Sequence, residues 1–449
     1  MNLIASSQLT IVIGLGLTGL SAARFLQKKN VRFMVMDSRQ TPPNVEMFKQ
    51  EFADVTLITG GLNSELLAAA SEIVISPGLS LKMPELQAAI AAGVSIVGDI
   101  ELFARVVDKP VIAITGSNAK STVTTLVGEM ASAAGFTPGI GGNLGVPVLE
   151  LLENPKFDFF VLELSSFQLE STFSLKAKVA TVLNISLDHM DRYDSLASYH
   201  QVKQRVYRHA EQLVINRQDF LTHPPLAKDA TVLSFGNDRP DINSFGLVSS
   251  PEGDYLAYQF KKLMPVSELL IKGKHNHVNA LAALALGFAA GFDMPSMLAT
   301  LRQYKGLPHR CEHVATIDGV SYINDSKGTN VGATLAALDG FSTGKENIIL
   351  IAGGDAKGAD FSPLIAIVKQ CVRHLVLIGQ DAEKIQLVLQ DVTECERVSS
   401  LQHAVSKAKQ YAQEGDVVLL SPACASFDMF SGFEDRGEQF IAIMVGLAA

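Results

Sequence analysis

Short runs of β-branched and aliphatic residues alternate with longer stretches of helical periodicity along almost the whole chain. Runs at 9–13, 32–36, 73–75 and 95–97 predict the strands of a first α/β unit. Runs at 111–115, 159–163, 179–185 and 213–216 predict those of a second, and runs at 348–352, 374–378 and 417–421 those of a third. Strands that alternate with helices predict parallel sheets with helices on their faces. The alanine- and leucine-rich run 280–292 is too short to span a bilayer and is broken by glycines, so it reads as a buried helix. Between 219 and 265 the pattern turns irregular, with His223-Pro224-Pro225, Asn237-Asp238-Arg239-Pro240 and Pro251-Glu252-Gly253, as expected for loops and short strands at the edge of the second unit. Boundaries are expected near 98–109 and near 304–308, where Gly306 and Pro308 interrupt the helical pattern. The sequence contains no short repeat and no low-complexity tract.

Composition narrows the class. A chain of 449 residues, 47% hydrophobic and 18% charged, builds several packed cores and is not disordered. A net charge of −9 argues against a general nucleic-acid or anionic-membrane surface, but leaves anionic substrates held by local positive charge. Cys311, Cys371, Cys395 and Cys424 are scattered without metal-binding spacing, so they predict reduced thiols and a cytoplasmic protein. Met1-Asn2-Leu3-Ile4 lacks a charged segment before an apolar core, and no signal peptide is expected from it.

The most informative segment is Ala113-Ile114-Thr115-Gly116-Ser117-Asn118-Ala119-Lys120-Ser121-Thr122. It follows an apolar strand and opens a helical stretch at 122–134. Strand, small-residue loop, Lys-Ser and helix is the layout of a phosphate cradle: backbone N–H groups face the anion, Lys120 adds charge, and a hydroxyl can hold Mg²⁺. The strict pattern wants glycine where Ile114 and Ala119 stand, and a positive φ at 119 would cost Ala about 1–2 kcal/mol. The alternative is an ordinary strand–turn–helix with a surface lysine. Gly14-Leu15-Gly16-Leu17-Thr18-Gly19 also follows a strand and opens a helix, and Asp37 ends the next strand, about where an acid meets a ribose. By itself this turn fits NAD, FAD, another diphosphate such as a UDP-sugar, or a turn without ligand, and Arg39 could serve a uracil or a phosphate.

Other polar residues fall at strand ends, the ligand edge of an open sheet. Glu163 follows one apolar strand and suits a Mg²⁺ bridging ATP; otherwise it is a capping or surface acid. His189, in Asn184-Ile185-Ser186-Leu187-Asp188-His189, reaches the same edge. Tyr199 and Lys203 lie one helical turn apart on one face, and on its own Lys203 reads as an exposed lysine. Gly306-Leu307-Pro308-His309-Arg310 and Tyr322-Ile323-Asn324-Asp325-Ser326-Lys327-Gly328-Thr329-Asn330 read as short polar loops able to grip phosphates and a ribose, or as turns held by salt bridges. Gly353-Gly354-Asp355-Ala356-Lys357 and Ser421-Pro422-Ala423-Cys424-Ala425-Ser426-Phe427-Asp428 end two further strands and can line a pocket there. Cys424 reads as a small buried residue.

Together these segments, in this order, resemble the Mur ligase family of peptidoglycan synthesis over essentially the whole chain. The segments that carry the resemblance are 14–19, 114–125, 163–170, 188–193, 274–279, 307–310, 324–330 and 420–426. The resemblance implies an α/β fold of three domains. A Rossmann-like UDP-sugar-binding domain covers 1–99, and a central P-loop-type ATPase domain with a mostly parallel sheet covers 100–306. A C-terminal Rossmann-like α/β domain, 307–449, closes over the nucleotide and binds the amino acid. Carried over, Leu17, Thr18, Asp37, Ser38, Arg39, Gly78 and Asn143 hold the UDP-sugar. Gly116, Ser117, Asn118, Ala119, Lys120, Ser121 and Thr122 hold the triphosphate of ATP, with Asn276, His309, Arg310, Asp325 and Lys327 on the nucleotide from the hinge side. Ser121, Glu163, His189 and Lys203 hold two Mg²⁺ ions, Lys203 matching a lysine that is carbamylated in this family. Lys120, Glu163, His189 and Lys203 are the implied catalytic set. Thr329, Lys357, Ser426 and Phe433 receive the amino acid.

The implied reaction is ATP-dependent joining of D-glutamate to UDP-N-acetylmuramoyl-L-alanine through an acyl phosphate, by a cytoplasmic monomer with no nucleic-acid partner and no stable membrane insertion. A sister ligase for another amino acid, an NAD-dependent oxidoreductase and a non-catalytic nucleotide-binding relative are the alternatives. Ala119 departs from the family's usual glycine, and Ser38 stands where threonine is usual.

Overall fold

Each predicted run forms a strand over all or part of its length, most of them buried, because such runs satisfy both faces of a sheet that helices cover. In the computed structural model, residues 8–225 and 231–448 are described. The Met1–Ile4 segment, on which the signal-peptide expectation rests, lies outside them, as does part of the irregular stretch before 265. The described residues form two compact units. One holds residues through 185 together with 192–235 and 282–297; the other holds 186–191, 236–281 and the chain from 298 onward.

The first unit contains two parallel sheets. One comprises β1 (Thr10–Ile13), β2 (Phe33–Asp37), β3 (Leu57–Thr59), β4 (Glu72–Ile75) and β5 (Ser95–Val97), in the order β3-β2-β1-β4-β5. Strand order reverses between β1 and β4, so their carboxyl ends, at Gly14 and Ser76, open the crevice where such sheets take ligands. The other comprises β6 (Val111–Thr115), β7 (Pro138–Gly142), β8 (Phe159–Glu163), β9 (Val179–Val182), β10 (Gln212–Asn216) and β11 (Thr231–Phe235), in the order β11-β10-β9-β6-β8-β7. β6 lies between β8 and β9, with Ile114 in register with Glu163. The expected boundary at 98–109 is no open linker: it contains the helix Asp99–Ala104, most of whose residues are buried.

The second unit contains an antiparallel meander, β12 (Ser244–Ser250), β13 (Gly253–Tyr258) and β14 (Lys261–Pro265). Its main sheet comprises β15 (Glu312–Ile317), β16 (Val320–Asn324), β17 (Ile348–Gly353), β18 (Val372–Ile378), β19 (Glu394–Arg397) and β20 (Val417–Leu420), in the order β15-β16-β20-β17-β18-β19. Only the edge strand β15 runs antiparallel. Two sequence expectations are corrected here. Tyr322–Asn324 is not a polar loop but the end of β16, buried and paired with β20. The strand expected over 179–185 stops at Val182, and Asn184 beyond it is free to serve the neighbouring loop. The alanine-rich run is the buried part of the helix Lys274–Ala290, as expected.

Candidate functional site

The phosphate-loop sequence sits at the carboxyl end of β6 and feeds the helix Lys120–Ala133. Ala119, just before that helix, has φ +65° and ψ −3°, the left-handed conformation that makes glycine usual there. Gly116 lies close against Leu183, whose Cβ would stand 3.1 Å from any added side chain. Asn184 clamps the loop. Its carbonyl accepts from Ser117 N at 2.9 Å, its Oδ1 accepts from Asn118 N at 2.8 Å, and its Nδ2 donates to the Asn118 carbonyl at 3.2 Å. Lys120 Nζ folds over the loop and donates to the carbonyls of Gly116 and Ser117 at 2.9 and 2.8 Å. Ser121 and Thr122, at the start of the helix, are buried.

Glu163, ending β8 beside this loop, is only 2% exposed. Its Oε1 accepts from Asn143 Nδ2 at 2.6 Å, whereas Oε2 is buried with no hydrogen-bond partner among the described residues. A buried carboxylate oxygen without a donor is costly unless a cation meets it, so the donor set fits a hard divalent ion. Lys203 overturns its reading as an exposed lysine: it is 1% exposed. Its Nζ donates to the Gly116 carbonyl at 2.8 Å and to Thr115 Oγ1 at 3.3 Å, and lies 4.8 Å from the centre of the Tyr199 ring. The Tyr199 hydroxyl in turn meets Ser117 Oγ at 3.1 Å. The first unit thus gathers Gly116–Thr122, Glu163, Asn143 and Lys203 around one loop.

At the first sheet's crevice, Gly19 approaches so closely that an added Cβ would stand 1.7 Å from the Gly14 carbonyl oxygen, so only glycine fits. The helix Leu17–Lys28 has no side-chain cap, which leaves its first N–H groups for an anion. Leu17 is 69% exposed there, an apolar surface at the mouth of a polar turn. Asp37 points inward. It accepts from Leu15 N at 2.7 Å and from Arg39 Nε and Nη2 at 2.9 and 2.7 Å, so it braces the turn while Arg39 keeps the exposed side of the pair. Arg39 and the N–H groups of Leu15 and Arg39 hold the Asp37 carboxyl below the usual range against the opposing pull of burial. Ser38 is exposed beside them, and Ser76 Oγ donates to the Gly14 carbonyl at 3.1 Å, one residue before Pro77 and Gly78.

In the second unit, polar groups converge on the carboxyl ends of β16, β17 and β20. Asp325 is buried; Ser421 Oγ donates to it at 2.7 Å and Cys311 N at 3.2 Å, yet burial pushes its carboxyl up to about 6. His309, at φ +61°, packs on Gly437, and Asn324 Nδ2 meets its Nδ1 at 2.9 Å. Lys327 Nζ lies 3.6 Å from the centre of the Phe433 ring. The loops after β17 and β20 bond to each other through Asp355 and Ala425, which brings the segment of Lys357 to that of buried Ser426. Thr329 N donates to the Lys327 carbonyl at 2.8 Å. Asn276 is buried at the start of its helix, donating to the Lys272 carbonyl. His189, at φ +56°, stands beside Asp188, whose Oδ2 accepts from Asn330 at 3.3 Å. His189 therefore belongs to the second unit and Glu163 to the first.

Two residues central to these geometries carry no sequence signal. Asn184 acts through a loop 66 residues away. Arg436, fully buried, donates to Ser326 Oγ at 2.9 Å and to its carbonyl at 2.8 Å, with its guanidinium pushed down to about 10 by burial. A polar cavity of about 580 Å³ at the ends of β18 and β19, lined by Gln380, Glu383, Arg397 and His403 among others, contains none of the predicted residues.

Comparison with known proteins covers all of these segments. Residues 8–98 match the Mur ligase MurD-like N-terminal domain, 114–287 the Mur ligase middle domain, and 309–424 the Mur ligase glutamate ligase domain. The chain is 53% identical to UDP-N-acetylmuramoylalanine–D-glutamate ligase of Pseudomonas fluorescens, with 100% of both chains covered. The enzyme of the same name from Pseudomonas aeruginosa is 51% identical, and that from Marinobacter nauticus 50%, each again over 100% of both chains. Among solved structures, a pseudomurein peptide ligase from Methanothermus fervidus aligns with TM-score 0.60 at 19% identity, over 98% of this chain and 100% of its own. UDP-N-acetylmuramate-alanine ligase from Thermotoga maritima aligns with TM-score 0.58 at 17% identity, over 98% of this chain and 99% of its own; at such identities the likeness is one of fold.

Proposed function

The chain belongs to the Mur ligase family, and we propose that within it the protein joins D-glutamate to UDP-N-acetylmuramoyl-L-alanine at the expense of ATP, a step of cell-wall precursor synthesis. The observation that carries the phosphoryl chemistry is the orphaned, buried Oε2 of Glu163 beside a helix-opening Lys-Ser loop. The L-alanyl carboxylate attacks the γ-phosphorus, ADP leaves, and an acyl phosphate forms. The D-glutamate amine then attacks the acyl carbon and phosphate departs. Lys120 and the amides of 116–122 offset the charge spread over the transferring group. Mg²⁺, held by Ser121 and Glu163 and by His189 with a carbamylated Lys203, would supply Lewis-acid charge stabilisation.

Leu17, Thr18, Asp37, Ser38, Arg39, Gly78 and Asn143 hold the UDP-sugar. Asn276, His309, Arg310, Asp325 and Lys327 hold the nucleotide from the second unit. Thr329, Lys357, Ser426 and Phe433 receive D-glutamate, where Lys357 supplies the cation that a second carboxylate needs. The three domains divide near 99 and 306, and the protein works in the cytoplasm as a monomer.

Phosphate release from ATP and Mg²⁺ with UDP-N-acetylmuramoyl-L-alanine, each amino acid added separately, tests this. Release is expected only with D-glutamate, with the mass of the joined product. Release with another amino acid keeps the family and changes the substrate.

A further inference from the structure

The segment 192–194 is one place where the first unit's two sheets are laced together by side chains rather than by the covalent chain. Arg192 is the centre of the lacing. Its side chain is only 10% exposed. Nη2 and Nε donate to the two carboxylate oxygens of Glu170 at 2.5 and 3.3 Å. Its guanidinium lies 4.1 Å from the centre of the Phe167 ring. Nη1, the remaining arm of the fork, donates to the Pro77 carbonyl at 3.0 Å. Glu170 and Phe167 belong to the helix Ser166–Glu170, which starts three residues after Glu163 and is fixed at its head by a reciprocal Ser165–Gln168 capping box. Pro77 belongs to the loop after β4, at the crevice of the first sheet. From the other side Lys82, in the same loop, pairs with Asp194 at 2.8 Å and donates to the Arg192 carbonyl at 3.4 Å.

The next residue continues inward. Tyr193 is buried, stacks on Phe167 with ring centres 6.2 Å apart, and meets Tyr199 at 5.2 Å. Tyr199 is the residue that touches both Ser117 and Lys203. A run of packed side chains therefore leads from the Pro77 loop to the phosphate loop, and Arg192 is the link that holds its outer end. Only a guanidinium can do this, because one flat, always-charged group must chelate a carboxylate, stack on a ring and still present a donor to a carbonyl. A lysine has one donor centre and no plane.

We propose that Arg192 is a positioning residue: it fixes the loop 76–82 against the Ser166–Glu170 helix, and so holds the acyl end of the nucleotide-sugar at the distance from the phosphate loop that phosphoryl transfer needs. The proposal rests on the ligase reading for its kinetic consequence, but not for its structural one. A displacement of about 1 Å between reacting groups is enough to cost on the order of 100-fold in rate.

The test uses Arg192→Lys and, as a variant that spares the partly buried network, Lys82→Met, which removes only the outer tether. Two readouts are taken: the KM values for UDP-N-acetylmuramoyl-L-alanine and for ATP in phosphate release, and hydrogen exchange of the amides at 78–83. For Arg192→Lys we expect the KM for the UDP-sugar to rise at least about tenfold, kcat to fall, and the KM for ATP to stay within about twofold. Exchange at 78–83 should quicken while that in the strand Val111–Thr115 does not change. Lys82→Met should move both readouts the same way by less. Equal rises in both KM values, or unchanged exchange at 78–83 in the folded Arg192→Lys protein, would overturn the proposal. If the wild type itself releases no phosphate with the UDP-sugar and D-glutamate, the ligase reading fails, and the exchange experiment still decides the tether.

Discussion

Lys203 is buried, and its partners include a carbonyl, a hydroxyl and an aromatic face. Its burial beside the phosphate loop places the amine where the proposed carbamate would form. Conversion to a carbamate would replace a cation by an anion beside Glu163's neighbourhood, where a metal can use it. Lys203→Ala should therefore lower kcat on the order of 100-fold, the size of losing one electrostatic contact to the transferring group. Added acetate or formate should restore part of the rate, and a variant as fast as the wild type refutes the carbamate. Ala119 offers a second residue-scale test. Its left-handed backbone costs about 1–2 kcal/mol, and glycine there would add about 0.5–1 kcal/mol of chain entropy to the cost of folding. Ala119→Gly should then raise the thermal unfolding midpoint by about 1–3 °C, and a lower midpoint would show that the loop is not strained at this position.

At the scale of elements, the helix Asp99–Ala104 joins the first unit's two sheets and buries a carboxyl at its first residue. Burial pushes Asp99 up to about 6, and the Ile100 amide and the Gln168 side chain offset only part of that cost. The folded state therefore holds a proton that the unfolded chain releases near pH 4. Stability falls as pH rises from about 4 to about 6, and stays lower above that by at most about 3 kcal/mol. Asp99→Asn removes the charge, so its unfolding midpoint in denaturant should gain on the wild type across that window. Asp325 contributes a slope of the same sign to both proteins and cancels in the comparison. A difference that does not vary with pH would mean that Asp99 is not a buried acid.

Elements also show what the sequence could tell. Runs such as Val111–Thr115 and Ile348–Gly353 are unmistakable because β-branched residues fill both faces of a covered sheet. Pro138–Gly142 gives no such signal: Pro-Gly-Ile-Gly-Gly is a strand only because β8 holds it in register. Glu394–Arg397 is missed for the opposite reason, being a polar strand at the sheet's edge. The placement of the phosphate-loop sequence and of Glu163 is legible because each sits directly at a strand end. Asn184, Arg192 and Arg436 are not, since a side chain that serves another segment's backbone is defined by what lies across from it in space.

For the whole molecule, the division of the predicted residues is the decisive fact. Gly116, Lys120, Ser121, Glu163 and Lys203 are built by one unit, and His189, Asn276, His309, Arg310, Asp325, Lys327 and Lys357 by the other. On the proposed roles, one ATP would draw on both sets, Lys120 serving its phosphates and Arg310 and Lys327 gripping it from the second unit. On the same proposal, the amine of D-glutamate would come from the second unit and the acyl carbon from the first, and the two must approach to within about 3–3.5 Å. If the ligands do draw on both sets, their binding is coupled to a closure of the units, since each ligand would make its full set of contacts only then. Small-angle scattering should then show the radius of gyration falling when a non-hydrolysable ATP analogue and UDP-N-acetylmuramoyl-L-alanine are added together, and falling less with either alone. Arg310→Ala removes a proposed grip on the nucleotide without touching the phosphate loop, and should weaken that compaction while the UDP-sugar still binds. Curves that superimpose with and without both ligands would refute the proposed closure.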